Sequence, residues 1–167
     1  MWRSRSLLVF LVVVGVAAAF VWLTGRGLPE VVASHFVASG AANGFMPRAA
    51  YLRFMLVLVV VPPVTVVVLP TLMLNGPHTR INLPNREYWL APGRRAETIT
   101  FLREQMANQG TLLAAFLAYV HGLVVCANVA VPPGLPAPWF VGGLIVFVTA
   151  QLGWTGWLLR HFYRVPR

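Results

Sequence analysis

Residues 111–131 read TLLAAFLAYVHGLVVCANVAV. The run contains no Asp, Glu, Lys or Arg, and about 20 helical residues suffice to cross the roughly 30 Å hydrocarbon core of a bilayer. One such charge at a helix centre would cost about 2.5–3.5 kcal/mol. Three further charge-free runs reach a similar length, at 7–23, 54–74 and 139–159. The chain is 58% hydrophobic and 10% charged, with a mean hydropathy of +0.72; soluble domains are about one-quarter charged. A soluble globule of this composition would leave much of its apolar surface in water, which excludes that class. The expected fold class is all-α: a four-span transmembrane helical bundle forming one integral membrane domain over residues 1–167.

The connections refine this outline. The linker VPPGLPAP, residues 131–138, is short and proline-rich, so the last two spans should form an antiparallel hairpin. Pro62, Pro63 and Pro70 predict a kink in the second span, which neighbouring helices in a membrane tolerate. Trp2 and Trp22 flank the first span as interface anchors. That span also has the basic start WRSRS and the small residues Ala17-Ala18-Ala19 of a signal peptide. Its apolar run continues through Phe20, Val21, Trp22 and Leu23, so it is expected to be retained.

Every one of the thirteen basic residues is Arg. Ten fall in the N-terminal tail, the second loop and the C-terminal tail, against three (Arg26, Arg48 and Arg53) on the other side. By the positive-inside rule, both termini are expected in the cytoplasm and the first loop outside. The arginines stand in twos and threes between apolar runs rather than along a helix interleaved with exposed aromatics, which argues against nucleic acid. Anionic lipids at the cytoplasmic face are the expected counter-charge, and the bilayer the main partner. The single cysteine, Cys126, cannot form an intrachain disulfide, and no metal-ligand spacing or cofactor motif is present.

Two polar loops carry the candidate sites. The outer one, residues 28–48, reads LPEVVASHFVASGAANGFMPR. Pro29 and Glu30 suit a helix start, and VVASHFVAS would give about two turns clustering Val31, Val32, His35, Phe36 and Ser39. Gly40 suits a helix stop, Asn43-Gly44 a turn, and Arg48 an anchor at the start of the second span. A short outer-loop helix presenting His35 and Phe36 to a protein or peptide partner is expected, with Gly40, Asn43 and Gly44 completing the site. A lone His is a poor metal site.

In the inner loop, Asn82, Pro84 and Asn85 favour turns, while Tyr88 and Trp89 resemble interface anchors. Pro92 then opens a stretch in which Ala96, Ile99, Leu102 and Met106 recur at helical spacing, with Arg94 and Glu97 placed to pair. This predicts a cytoplasmic amphipathic helix running into the third span. It would act as a lipid-anchoring elbow or as a docking platform carrying Arg94 and Arg95.

LPEVVASHFVASGAANGF and INLPNREYWLAPGRRAETITFL resemble two segments of a bacterial membrane domain-of-unknown-function family that forms the N-terminal part of SdpI-type toxin immunity proteins. The two stretches cover about a quarter of the chain. Ala33 stands where that pattern usually has proline, Arg48 where it has lysine, and Gly93 where it has Glu. The resemblance implies a small multi-pass protein of the bacterial inner membrane, of immunity or signalling type.

Polar groups within spans are candidate functional groups, because hydrocarbon does not satisfy them. Counted from the ends of the apolar runs, Thr65, His121, Thr149 and Gln151 fall near the midplane, and Asn128 continues the His121 face outward. They would form either a structural polar layer or a small-solute site around His121. No Asp or Glu occurs in a span to partner it, and neither loop pairs its acids with the His or Cys that acid–base or nucleophilic catalysis needs. A non-enzymatic protein that binds a partner at the outer loop is the expected function. An accessory subunit of a larger complex and a small transporter-like oligomer are the alternatives.

Overall fold

The computed structural model describes residues 5–75 and 81–165. Trp2, Arg3, Arg80 and Arg167, which entered the anchor and charge readings above, lie outside the described residues. The elements run α1 (Arg5–Gly25), β1 (Val31–Phe36), β2 (Ala42–Pro47), α2 (Arg48–Asn75), α3 (Arg86–Trp89), α4 (Arg95–Val129) and α5 (Ala137–Tyr163). Four of them, α1, α2, α4 and α5, are long and apolar enough to cross a membrane. They contain the four charge-free runs, except that α4 stops two residues short of Val131. The chain therefore reads as a multi-pass membrane protein, mostly helical. Helix α2 runs unbroken through Pro62, Pro63 and Pro70.

Helices α1, α2 and α4 form the body. At one end Ala17 and Val21 of α1 meet Tyr51, Leu52, Met55 and Val59 of α2, Val124 of α4, and Leu28 and Val32 from the first loop. Towards the other end Phe10, Val67 and Ala107 repeat the three-helix contact. Gly110 of α4 makes that approach possible, because a Cβ there would lie 2.7 Å from both Phe10 and Val67. Helix α5 is different. None of its most apolar window is buried, and Phe162 is its one buried residue.

The outer-loop helix expected from the sequence does not form. Residues 31–36 and 42–47 are instead an antiparallel hairpin, with Val32 opposite Met46 and Ala33 opposite Phe45. An isolated two-turn helix is marginal, because nucleation fixes several residues for each first hydrogen bond. Val31, Val32 and Phe36 have strand propensity, and residues 42–47 alternate half-buried and exposed in the period of a strand. The turn also moves. Asn43 and Gly44 lie within β2, and residues 37–40 make the reversal, with Gly40 N–H donating to Val37 C=O at 2.8 Å. Gly40 has φ 88°, open to glycine but strained for other residues. A Cβ there would also strike the Leu135 carbonyl oxygen.

The amphipathic segment is the first part of α4 and runs into the span without a break. Its most buried face is Thr98, Leu102, Gln105 and Gln109; of the expected face Leu102 is buried, Ile99 packs half-buried on the same cluster, Met106 is half-buried and Ala96 is exposed. The two faces share Leu102, which packs with Leu74 of α2, Phe162 of α5 and Ile81.

Candidate functional site

Two polar residues of α4 fasten the hairpin. Thr24 lies in the last turn of α1 and Tyr51 in the first turn of α2, so both stand at the hairpin's base. Between them sits His121, fully buried. The Thr24 hydroxyl donates to the Phe20 carbonyl at 2.7 Å. Its single hydrogen is thereby used, so at 2.8 Å it accepts from His121 Nε2–H. Nδ1 then accepts from the Tyr51 hydroxyl at 2.9 Å. The ring uses one donor and one acceptor, and this network assigns the Nε2–H tautomer. The Phe20 ring packs edge-on against the imidazole, centroids 5.5 Å apart.

Asn128, two turns further along α4, makes the second fastening. Its Oδ1 accepts from Ala33 N–H at 2.8 Å and its Nδ2 donates to Ala33 C=O at 2.9 Å, the pairing a neighbouring strand would supply. The other amide hydrogen goes to Val124 C=O at 2.9 Å. Proline at position 33 would have no N–H for this pair, which is the consequence of the alanine here. Arg48 Nη1 donates to Leu28 C=O at 2.7 Å, and its N–H donates to Glu30 C=O. The 131–136 linker does more than turn the chain: Leu135 N–H donates to Gly40 C=O at 2.8 Å, and Gly134 bridges to Ala41.

The expected midplane layer is not assembled. His121 and Asn128 bind the hairpin and its base, not Thr65 or Gln151. Thr65 lies roughly 20 Å along α2 from Tyr51 at about 1.5 Å per residue; it is exposed and donates to its own Val61 carbonyl at 2.8 Å. Gln151 is half-buried and Thr149 exposed on α5. The depth count failed because it set the ends of the apolar runs level, whereas the Tyr51 hydrogen bond puts His121 beside the first turn of α2 and not beside the middle of its run. Thr24 and Tyr51 were missed because both lie outside the charge-free runs 7–23 and 54–74, at the helix ends next to the hairpin.

On the hairpin, the five expected residues are together but have different duties. His35 is exposed, with Nδ1 2.7 Å from Asn43 Oδ1. Gly44 lies opposite it, and a Cβ there would come 2.8 Å from His35 Cβ. A register shift between Ala33 and His35 marks a bulge, a device that re-aims side chains. Phe36 turns inward and packs on the core. The outward aromatic is Phe45, 57% exposed. Because Ala33 turns both backbone groups to Asn128, the Ala33–Phe45 pair is not hydrogen-bonded across the ladder, and Phe45 N–H and C=O face the open edge of β2.

At the far end, the second motif closes on the last turn of α5. Asn85, at φ 50°, donates from Nδ2 to Phe162 and Tyr163 carbonyls, each at 3.0 Å, and Trp89 Nε1 donates to Phe162 C=O at 2.9 Å. Thr98 Oγ1 donates to Trp89 C=O at 2.7 Å. The Arg94 guanidinium lies 3.9 Å from the Tyr88 ring centroid rather than pairing with Glu97. Asn82 and Arg95 are exposed and Pro84 is half-buried. Sequence reasoning missed His161, stacked between Trp89 and Phe101, and Gln105, whose Oε1 accepts from Trp154 Nε1 at 3.0 Å.

Among the described residues no three His, Cys, Asp or Glu side chains come together to hold a metal ion. No protein-family model, curated protein or solved structure matches the chain.

Proposed function

We propose that this is a non-enzymatic protein of the bacterial inner membrane, related to the SdpI-type family, that binds an extended protein or peptide segment at the hairpin. The arginine asymmetry supports placing the hairpin outside and the Asn85–Trp89 motif in the cytoplasm. The observation that carries the binding reading is that Asn128 holds one edge of the hairpin while the other, at Phe45, is open. An extended segment adds to such an edge through backbone hydrogen bonds, and neighbouring side chains supply selectivity. His35, Asn43 and Phe45 would supply it here, with Phe36 as their inward anchor. Pro47, which has no N–H, limits the open edge and discourages self-association.

A photo-crosslinking residue placed at Phe45 in cells should capture a protein or peptide, and His35→Ala should weaken that capture, while membrane insertion stays intact. Capture no greater than from the same probe at Leu152 would sink the reading. A membrane-impermeant thiol reagent should label Asn43→Cys in intact cells and not Glu104→Cys, in a Cys126→Ser background; the reverse pattern overturns the orientation. One observation favours a second reading, an accessory subunit: the apolar window of α5 has no buried residue. Copurification of a membrane partner in mild detergent, lost when α5 is altered and not when Phe45 is, would select it.

A further inference from the structure

Beside the Asn85–Trp89 closure lies a cavity of about 520 Å³ lined by Trp89, Trp157, Arg160, His161 and Arg164. Its size falls in the range of small-molecule sites, about 300–1,000 Å³. Arg160 stands in the last turn of α5, Arg164 follows the helix as its extended C-cap residue, and both are exposed. Neither has an ion pair or hydrogen bond among the described residues, and no carboxylate lines the cavity. His161 is held by its faces, between Trp89 at 5.0 Å and Phe101 at 4.7 Å, and its ring nitrogens have no partner among the described residues. Three nitrogen-bearing groups thus surround one space with no acidic partner among the described residues.

A helix C-terminus ordinarily repels an anion, because its free carbonyls carry partial negative charge. Here the Phe162 and Tyr163 carbonyls are covered by N–H donors from Asn85 and Trp89. The closure therefore lessens the repulsion where the arginines stand.

Depth points to the source of the anion. From Trp139, about 20 residues at roughly 1.5 Å each carry α5 across some 30 Å, to Leu159. Arg160 and Arg164 come next, at the level of lipid headgroups. Trp157 is half-exposed at this level, and Leu152 and Leu159 leave apolar surface open along α5 towards the membrane.

We propose that this cavity seats the phosphate of an anionic phospholipid, with Arg160, Arg164 and His161 around the headgroup and the acyl chains along α5. The site is at the opposite end from the hairpin and does not depend on the peptide-binding reading. The recess lies between the end of α5 and α3, and basic side chains clustered beside the end of a membrane helix suit anionic headgroups.

The test is lipid retention by the purified full chain, measured by native mass spectrometry after loading with phosphatidylglycerol or phosphatidylcholine. The wild-type chain should retain phosphatidylglycerol preferentially. At about fivefold per arginine, the Arg160→Gln/Arg164→Gln variant should lose roughly 25-fold of that preference. Each single variant should lose about fivefold, which decides the matter if the double variant does not fold. Arg160→Lys/Arg164→Lys should keep most of the preference, and Arg26→Gln/Arg53→Gln, at the hairpin end, should keep all of it. Equal retention of the two lipids by the wild-type chain, or an undiminished preference in both single variants, overturns the proposal. Excess inorganic phosphate should leave the lipid bound; its complete displacement would make the site one for a free anion and overturn the lipid assignment.

Discussion

Two histidines stand near opposite ends of the molecule, and they are used in opposite ways. His121, below the hairpin, has both ring nitrogens engaged, by Thr24 and Tyr51, and is fully buried. His161, beside the Asn85–Trp89 closure, is held by ring contacts with Trp89, Phe101 and Phe162, and its nitrogens are unengaged among the described residues. Their neighbours follow suit. Asn128 spends its oxygen and both amide hydrogens on backbone groups, whereas Arg160 and Arg164 make no hydrogen bond or ion pair among the described residues. The hairpin end uses its polar groups to hold a shape, and what it leaves open is a strand edge. The arginine-rich end holds its shape with aromatic stacking and two capped carbonyls, and what it leaves open is charge.

If that contrast is right, removing a polar group should destabilise the hairpin end far more. The largest effect is expected for Asn128→Leu, which strands the N–H and C=O of the fully buried Ala33. Each buried unpaired group costs about 1–3 kcal/mol, so a loss of about 3 kcal/mol is expected in detergent-denaturant unfolding, together with faster amide exchange across residues 31–36. An unfolding free energy unchanged from wild type would show that the hairpin stands without its brace. Next comes His121→Leu, which leaves the Tyr51 hydroxyl without an acceptor at a cost of about 2 kcal/mol. Thr24 keeps its bond to Phe20, so only one orphan is created. Adding Tyr51→Phe removes that orphan and should recover about half of the loss; a double variant worse than the single would refute the hydrogen-bond account of this cluster.

The four spans were legible because a charge-free run of membrane length has few other uses. The hairpin was not, because six residues fit helical and strand periods alike and the deciding contact is remote: Asn128 lies 95 positions from Ala33. Asn43-Gly44 drew the turn to the wrong place, although an Asn-Gly pair between apolar residues is itself a hairpin signal. His121 and Asn128 were visible as polar groups in a span, but their partners depended on level, and an apolar run gives its own centre rather than its neighbours'. The second motif was visible as a motif. Its target was not, since the Phe162 carbonyl it caps is a backbone group that no side-chain pattern announces.

Smaller effects are expected at the other end. Trp89→Phe keeps an aromatic face against His161 and removes one N–H, while Asn85 still donates to the Phe162 carbonyl. A single neutral hydrogen bond contributes about 0.5–1.5 kcal/mol, so the loss should be about 1 kcal/mol by the same unfolding measurement. A loss as large as that of Asn128→Leu would mean that this closure, too, is a primary fastening.

The smallest stability effect, and the sharpest test of the contrast, belongs to Arg160→Gln with Arg164→Gln. Both side chains are exposed and unpaired among the described residues, and substitutions at such positions usually change stability by no more than about 0.5 kcal/mol. With lipid removed, the double variant should therefore unfold like the wild-type chain. With anionic lipid present, the wild-type chain alone should gain stability, because a ligand that binds only the folded state shifts the folding equilibrium by mass action. A lipid-free double variant destabilised by about 2 kcal/mol or more would place these arginines among the groups that hold the fold, and the difference between the two ends would disappear.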